Sequence, residues 1–441
     1  MARRALVLIE GTTSNGPLYV QAAQRLGLNP ITLSGDPAQY DYLAAEGDEA
    51  IRVDTDNLDA LIGECSRLRA IDDIAGITSA TESFYATVGK LCRYFNLPGP
   101  NPASVERCCD KFLQRQLLAK SGVPVPAFRV VANVTDAETS AVEIGLPVVL
   151  KPAVGIGSSG VQLCRKFDEV TEHATYLFGG KHRWLSSQKQ RKWESSPRIM
   201  VEEFAQGAHY CANIMGNDVT AIAAVEFGPP PHFVIREYTF PAPLTDSEHK
   251  RITDVSLDCL RALDLGWGPT NIEFRWTKRG PVVIEVNPRM AAGDPKLIQL
   301  AYGVDLIAEH LKLVIGEEWD LRKRHSQTVA WRSLLPDCDG ILDWIDGGSR
   351  AAAVPGVAEV KLIVQPKTPI VRKGDCRDSM ACVIAVAPNL AQTQATLQLA
   401  SGLIDWSITP FPAEKEQSRA QIHSAPVPAA QDKMMGIKPA G

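Results

Sequence analysis

Two short segments between residues 270 and 289 alternate between polar and apolar side chains. They run from 270 to 276 and from 282 to 289, and a polar loop at 277–281 joins them. A period of two predicts strands, and two such strands around a short loop predict an antiparallel hairpin. The chain must therefore build a sheet that buries one side of this hairpin and leaves its polar side for another use.

The register of the hairpin follows if the two strands are symmetric about Arg279. Glu273 then lies opposite Glu285, and Asn271 lies opposite Asn287, with Cβ atoms about 5 Å apart in each directly opposed pair. Alternation gives the hairpin one polar and one apolar face. The polar face carries Asn271, Glu273, Arg275, Glu285, Asn287 and Arg289, and the apolar face carries Ile272, Phe274, Trp276, Ile284 and Val286.

Two opposed carboxylates destabilise a sheet unless positive charge lies between them. The oxygen-rich set Glu273, Glu285 and Asn287 suits Mg²⁺, whose remaining ligands are water and nucleotide phosphates, and Mn²⁺ shares this preference. The pattern therefore predicts a Mg²⁺ site on the polar face. The alternative is a solvated sheet face on which each glutamate pairs with an arginine.

A glycine- and serine-rich loop indicates a phosphate-binding segment. Lys151 ends a predicted strand, and Gly-Ile-Gly-Ser-Ser-Gly at 155–160 leads to a second strand. Glycines let backbone N–H groups approach phosphate oxygens, and Ser158 and Ser159 add hydroxyl donors beside Gly160. The lysine precedes the loop and a strand follows it, so this is not a Walker loop. The alternative is a tight hairpin with Lys151 as a surface charge.

The organisation of the chain indicates several compact units. Apolar runs alternate with amphipathic stretches through residues 5–130, which predicts βαβ units and an open parallel sheet. One helix is predicted to carry the apolar positions from Leu297 to Val314. The predicted units are an N-terminal α/β domain at 1–125, a small lid subdomain at 126–205, a large subdomain with the metal site at 206–320, a β-rich C-terminal subdomain at 321–412 and a disordered tail at 413–441.

The overall charge does not favour a nucleic-acid partner. Lysine and arginine total 46 and aspartate and glutamate 51, so the formal net charge is -5. The basic segment at 179–198 indicates a solvated loop, with RNA binding as the alternative. No apolar run reaches the roughly 18 residues of a membrane span, which predicts a cytoplasmic protein without a membrane partner. The ten cysteines show no zinc-type spacing and are expected to be reduced core residues.

Five motifs, taken in order, resemble those of the ATP-grasp superfamily. They are Asp110-Lys111 at a helix start, the loop that begins at Lys151, Val201-Glu202-Glu203-Phe204, Asn271–Phe274 and Glu285–Arg289. A narrower similarity, to L-amino acid ligases, rests on the segment RMAAGD at 289–294 and the long C-terminal extension. The resemblance implies an ATP-grasp fold of mixed α/β and α+β class, with an open parallel sheet domain, a lid, an antiparallel-sheet catalytic domain and a β-rich extension.

The resemblance also implies roles for individual residues. It implies that ATP phosphates contact Lys111 and Lys151, with Ser158, Ser159 and Gly160 in the loop that closes over them. It implies an adenine hinge at Glu202 and Phe204, and Mg²⁺ ligands at Glu273, Glu285 and Asn287. Arg289 is implied to stabilise charge on the transferred phosphoryl group and on the acyl phosphate. One departure concerns the ribose, because His209 stands where many relatives carry a glutamate. The alternative for His209 is a packed or surface imidazole.

The expected reaction is ADP-forming amide synthesis. A substrate carboxylate attacks the γ-phosphate of ATP, and an amine then attacks the acyl phosphate; at least one substrate is expected to be an amino acid, in dipeptide or natural-product synthesis. By similarity to those ligases Glu237 is a candidate for a substrate amino group. Glu82, after a strand of an open sheet, is a second substrate candidate, with a plain helix-start acid as its alternative. A homodimer is expected.

Two other functions remain open from the sequence. A biotin-carboxylase-like enzyme would activate bicarbonate, although the chain has no AMKM-type biotinyl segment. A catalytically silent ATP-binding regulator could use the same scaffold. Retention of both lysines, both glutamates, Asn287 and Arg289 favours an active enzyme over the regulator.

Overall fold

The structure is a computed structural model that describes residues 3–45, 49–153, 157–179 and 198–412. The predicted tail at 413–441 and nearly all of the basic segment at 179–198 lie outside the described residues. None of the helices in the described ranges has the length and apolarity that a membrane crossing needs. The ten cysteines form no disulfide, and six of them are buried, whereas Cys376 is exposed.

The first unit is a parallel sheet with helices on its faces, as the βαβ pattern predicts. Its strands are β1 (Arg4–Ile9), β2 (Asn29–Ser34), β3 (Glu49–Arg52) and β4 (Asp73–Thr78), and its helices are α1 (Gly16–Arg25), α2 (Asp41–Ala45), α3 (Leu58–Arg69) and α4 (Tyr85–Phe95). The strand order is β3-β2-β1-β4, with parallel pairing throughout. Helices α5 (Pro102–Cys109) and α6 (Lys111–Lys120) follow, and the Asp110 carboxylate caps α6 at the N–H groups of Phe112 and Leu113.

The second unit is a small antiparallel sheet that carries the glycine loop. It contains β5 (Phe128–Val131), α7 (Val134–Ile144), β6 (Val148–Pro152), β7 (Gln162–Cys164), α8 (Phe167–Phe178) and β8 (Ile199–Glu203). The strand order is β5-β8-β6-β7. Helices α7 and α8 pack on it through an apolar core of their own. The glycine loop joins β6 to β7, which places it at one edge of this sheet.

The described residues after β8 form one large antiparallel sheet and a smaller one. The strands are β9 (Ala208–Met215), β10 (Asp218–Phe227), β11 (Ile235–Phe240), β12 (Pro269–Thr277), β13 (Gly280–Asn287), β14 (Thr328–Leu334), β15 (Gly340–Asp346), β16 (Val357–Leu362), β17 (Pro369–Ile370), β18 (Ala381–Ala387) and β19 (Asp405–Pro410). The helices are α9 (Asp246–Leu263), α10 (Asp294–Tyr302), α11 (Leu306–Val314), α12 (Gly348–Ala352) and α13 (Leu390–Ser401).

The large sheet has the order β13-β12-β9-β10-β11-β14-β18-β16, and the small one has the order β17-β15-β19. Strands β14, β16 and β18 therefore continue the sheet that begins with the β12–β13 hairpin, so one sheet runs across the predicted boundary at 320/321. The two faces of the large sheet have different partners. One face packs on α1, α10 and α11, and the other packs on α6 and α9.

The single helix expected from Leu297 to Val314 is two helices, α10 and α11. Gly303 ends α10 in a left-handed conformation, with φ of 70°. The Asp305 carboxylate then accepts a hydrogen bond from the Ala308 N–H at 3.1 Å and starts α11. The apolar spacing continues across the break because both helices pack on the same sheet face.

A buried histidine joins the first unit to α11. His310 lies between two tyrosine hydroxyls, with Tyr19 at 2.9 Å from Nδ1 and Tyr85 at 2.9 Å from Nε2. Burial lowers the pKa of His310 to about 3, so the ring is neutral at neutral pH. A neutral imidazole can donate to one hydroxyl and accept from the other, which satisfies all three side chains without a buried charge.

This arrangement predicts a specific sensitivity to acid. The folded-state pKa of His310 lies below its unfolded value, so its contribution to stability is present above about pH 6.5 and is lost as the pH falls towards 3. His310→Gln can keep one donor and one acceptor without titrating. Between pH 6.5 and 4.5 the wild type should lose about 2–3 kcal/mol more unfolding free energy than the variant. The measurement is urea unfolding of both proteins at both pH values. An equal loss of unfolding free energy in the wild type and in His310→Gln would contradict this.

Candidate functional site

The β12–β13 hairpin brings its polar residues together in the predicted register. Glu273 pairs with Glu285, and Asn271 pairs with Asn287. A β-bulge follows, in which Ile284 has no partner on β12. Phe274 therefore lies opposite Val283. The expected place of Ile284 on the apolar face is therefore wrong: Val283 joins the core beside Phe274, and Ile284 is only partly buried.

The two facing glutamates are held by different basic partners. The Lys111 ammonium contacts the Glu285 carboxylate directly, and His209 Nε2 lies 3.5 Å from Glu273 Oε2. Burial alone would raise the pKa of Glu273, but the hydrogen bond from His209 and the charges of Arg289 and Lys111 hold it below its usual value. Glu273 is therefore ionised at neutral pH, as a ligand of a divalent cation must be.

The donor set fits a hard divalent cation. The Nδ2 atom of Asn287 is buried and has no hydrogen-bond partner among the described residues. The amide of an asparagine can be assigned in either orientation, and the flipped one turns its oxygen into that position as a free ligand. No three His, Cys, Asp or Glu side chains of the described residues converge as a metal cluster. Two carboxylates and one amide suffice for Mg²⁺, which keeps waters and binds substrate phosphates.

A fully buried ion-pair network lies beside the metal-ligand candidates. Glu202 receives Lys151 Nζ at 2.6 Å on one oxygen and Arg115 Nη2 at 2.7 Å on the other. Burial alone would raise the pKa of Glu202, but Arg115 and Lys151 together lower it. Burial lowers the pKa of Lys151, against the opposing charge of Glu202. Glu202 therefore holds Lys151 at the end of β6, where the glycine loop begins.

Arg115 belongs to this network and was not among the residues expected from the sequence. It also donates to the carbonyl oxygens of Val283 and Ile284, at 2.5 Å each, and its exposure is 1%. These bonds tie α6 to the hairpin at its bulge. A signal was present in the sequence, because Arg115 stands three residues before the buried Leu118 of the same helix, within the apolar stripe.

Arg289 and Glu82 come together as an ion pair, with 3.3 Å between Nε and Oε2. Burial alone would lower the pKa of Arg289, but Glu82, Glu273 and other acids raise it. Glu82 begins a short turn after β4, at the carboxyl end of the parallel sheet. The first unit and the hairpin thus both contribute to one charged site.

Asp294 is a second residue of this site that the sequence reasoning did not single out. Its exposure is 3%, and its Oδ2 accepts a hydrogen bond from Asn213 Nδ2 at 2.8 Å. Burial raises its pKa to about 6, against the hydrogen bond from Asn213 and the charge of Arg289. The acid of RMAAGD was visible in the sequence, but its contact with Asn213 on β9 depends on tertiary packing.

The described part of the glycine loop forms a turn over residues 157–160, and residues 154–156 lie outside the described residues. Ser158 has a left-handed backbone, with φ of 63°, and Ser159 follows it in the turn. His173 Nε2 on α8 donates to the carbonyl oxygen of Gly160 at 2.9 Å. The lid helix thereby fixes one end of the loop.

The hinge after β8 is lined by aromatic rings. The Phe204 N–H donates to the Pro147 carbonyl at 3.3 Å, so that donor is already used within the protein. The Arg275 guanidinium lies 5.6 Å from the centroid of the Phe204 ring, 5.0 Å from that of Phe227 and 5.8 Å from that of Phe233. This aromatic cluster forms the apolar wall that a planar base needs.

His209 is a packed residue that faces the site. Its ring meets Phe227 edge-on, with 4.9 Å between centroids, and burial lowers its pKa. The Nδ1 atom is buried without a hydrogen-bond partner in the described part of the chain. His209 therefore supports Glu273 through Nε2, while contact with a ribose stays a prediction.

The structure does not bring Glu237 to this site. The strand registers place Glu273, Cys211, Ala223 and Tyr238 on one face of the large sheet, and Glu237 next to Tyr238 points to the opposite face. There Arg332 binds the Glu237 carboxylate through Nε at 3.0 Å and Nη2 at 2.9 Å. Glu237 is buried, and its ion pair with Arg332 links β11 to β14, the first of the C-terminal strands.

Comparison with known proteins agrees with this geometry. Residues 144–296 match the ATP-grasp domain family, residues 108–177 match the RimK-like ATP-grasp domain, and residues 332–409 match the L-amino acid ligase C-terminal domain 2. The uncharacterized protein y4rH of Sinorhizobium fredii is 60% identical over 410 residues, which cover 93% of this chain and 84% of that protein.

More distant similarity extends to characterised ligases. The N-terminal section of the carbamoyl phosphate synthase large chain from Aquifex aeolicus is 25% identical over 327 residues, 71% of this chain and 55% of that protein. The crystal structure of an L-amino acid ligase from Bacillus licheniformis has the same fold, with a TM-score of 0.78, 18% identity and coverage of 93% of this chain and 100% of that one. The chain therefore belongs to the ATP-grasp superfamily, and its residues 332–409 match the C-terminal domain of L-amino acid ligases.

Proposed function

We propose that the protein joins a carboxylate to an amine through an acyl phosphate, with ATP consumed to ADP and with at least one amino acid as substrate. One observation carries the proposal. A single sheet face holds two facing glutamates and an amide suited to a divalent cation, next to Lys111, Lys151 and Arg289. Transfer of a phosphoryl group needs this combination of positioned positive charges more than it needs a protein nucleophile.

The roles follow from the positions of the side chains. Lys151 stands where β6 enters the glycine loop and would neutralise phosphate oxygens of ATP, and Lys111 would do so from the start of α6. Arg289 would neutralise charge on the attacking carboxylate and on the acyl phosphate. Glu273, Glu285 and Asn287 would hold Mg²⁺ or Mn²⁺, which neutralises charge on the phosphates when bound.

Recognition of the amino acid draws on the first unit. Glu82 lies at the carboxyl end of the parallel sheet, where open α/β sheets bind ligands, and it is already paired with Arg289. A carboxylate beside an arginine can bind the ammonium and carboxylate groups of one amino acid. The match to the L-amino acid ligase C-terminal domain supports this choice of substrate, and dipeptide or natural-product synthesis is the setting it suggests.

Bicarbonate activation is the second candidate function, because the Aquifex aeolicus relative is a carbamoyl phosphate synthase section. An ADP-release assay with Mg²⁺-ATP distinguishes the two. Pools of amino acids, small carboxylic acids and bicarbonate are tested separately and in pairs. We expect ADP formation that requires an amino acid. Turnover with bicarbonate but not with amino acids would overturn the ligase proposal, and no turnover with any pool would favour a silent ATP-binding protein.

A further inference from the structure

The side chain of Asn15 does not make the hydrogen bond that is usual for its position in the first unit. Asn15 precedes α1 as the N-cap residue, where an asparagine side chain normally accepts a hydrogen bond from its own helix. Here the side chain makes no such bond. The side chain of Asn15 is nevertheless buried, with 2% exposure.

The side chain instead reaches the segment that follows Arg289. Asn15 Nδ2 donates to the Ala291 carbonyl at 3.2 Å, and the Gly293 N–H donates to Asn15 Oδ1 at 3.3 Å. Both ends of one amide are thus bonded to the backbone of a segment 276 and 278 residues away in the sequence. A primary amide is the side-chain group that can donate and accept from adjacent atoms in this way.

The segment that Asn15 holds connects two residues of the site. Arg289 precedes it, and Asp294 follows it as the first residue of α10. Gly293 is left-handed, with φ of 82°, so local backbone preference does not by itself fix this turn. Asn213 holds the Asp294 side chain from the sheet, and Asn15 holds the backbone from the first unit.

We infer that Asn15 is a positioning residue. It fixes the backbone of the Arg289–Asp294 segment in the position that the proposed reaction needs. The inference rests on the proposed function for its catalytic part, because Arg289 acts there on the acyl phosphate. Asn15 itself does not contact the substrate. It fixes the backbone on which Arg289 is mounted, and a small displacement of such a group is enough to lower the rate strongly.

Two variants and a matched control test this inference. Asn15→Ala removes both bonds and should lower kcat about 100-fold while KM for ATP changes less than about twofold. The control is Asn57→Ala, which removes a cap from α3, where Asn57 accepts from Asp59 and Ala60, and should leave kcat unchanged within about twofold. Equal kcat values for the two variants would overturn the inference.

Asn15→Asp gives a readout that general destabilisation would not produce. Aspartate keeps the acceptor for Gly293 but can donate to the Ala291 carbonyl only when protonated, and burial raises the pKa of a carboxyl group. The kcat deficit of this variant should therefore shrink as the pH is lowered from about 8 to about 6. A deficit that is constant over this range would contradict the role of the donated bond.

Hydrogen exchange separates failure of this inference from failure of the proposed function. In the full-length protein, Asn15→Ala should speed amide exchange in peptides covering residues 289–296, and Asn57→Ala should not. If the wild type forms no ADP with amino acids, the proposed function fails, and the exchange result alone decides whether Asn15 holds the segment. Unchanged exchange at 289–296 in Asn15→Ala would refute the inference whatever the activity.

Discussion

Replacing Glu285 with glutamine is expected to lower kcat about 1,000-fold while the fold stays intact. The side chain keeps its shape but loses the charge that faces Glu273 in the hairpin register and that binds the Lys111 ammonium. The proposed divalent cation would then lose one of its two carboxylate ligands. Steady-state kinetics over a range of Mg²⁺ concentrations, with the melting temperature as a check on folding, measures the effect.

A matched control for this variant is Glu359→Gln. Glu359 also lies on a strand of the large sheet and also binds a lysine ammonium, that of Lys296 on α10. Its strand, β16, forms the edge of the sheet opposite the hairpin. The control removes an equivalent ion pair and should leave kcat within about twofold, since partly exposed pairs contribute little. If Glu285→Gln keeps full activity, the metal assignment is wrong.

Replacing Arg115 with methionine is expected to lower the unfolding free energy by about 3–5 kcal/mol. The change leaves Glu202 with Lys151 alone in a buried site, and it removes the donors for the carbonyl oxygens of Val283 and Ile284. Each of these groups is costly to bury without its partner. Urea or guanidinium unfolding at neutral pH measures the loss.

Arg129→Met is the corresponding surface control. Arg129 pairs with Glu143 at 3.2 Å, and both side chains are more than half exposed. Its replacement should cost no more than about 1 kcal/mol, because solvent screens such pairs. Equal unfolding free energies of Arg115→Met and Arg129→Met would show that the buried network does not hold α6 against the hairpin. The position of Lys151 would then need another explanation.

The residues predicted well from the sequence are those fixed by local patterns. The alternation around the hairpin predicted that Glu273 and Glu285 face each other. The pairs nearer the turn, such as Phe274 with Val283, are shifted by one residue from the predicted register, and the bulge compensates for this shift. The pairing of Lys151 with Glu202 was not predicted, because the antiparallel pairing of β6 with β8 joins segments about 50 residues apart. The bulge at Ile284 was not predictable, since it depends on how Arg115 binds the carbonyl oxygens there.

The residues missed or misplaced depend on distant contacts. Glu237 was a candidate through its similarity to a glutamate of L-amino acid ligases, but the pairing of β11 with β10 and β14 turns it to the opposite face. Asp294 meets Asn213 across 81 residues of sequence. The break at Gly303 was missed because apolar spacing reports which face is buried, and it does not report a change of backbone conformation within that face.

The central claim is that a substrate carboxylate, not water, attacks the γ-phosphate. The carboxylate substrate identified in the ADP-release assay can be labelled with ¹⁸O in both carboxylate oxygens and incubated with Mg²⁺-ATP and the amine substrate. Attack by the carboxylate followed by displacement of phosphate moves one labelled oxygen to phosphate and leaves the other in the amide. We predict inorganic phosphate that carries one ¹⁸O, measured by the isotope shift in its ³¹P NMR spectrum. Unlabelled phosphate, or label in AMP, would contradict the account.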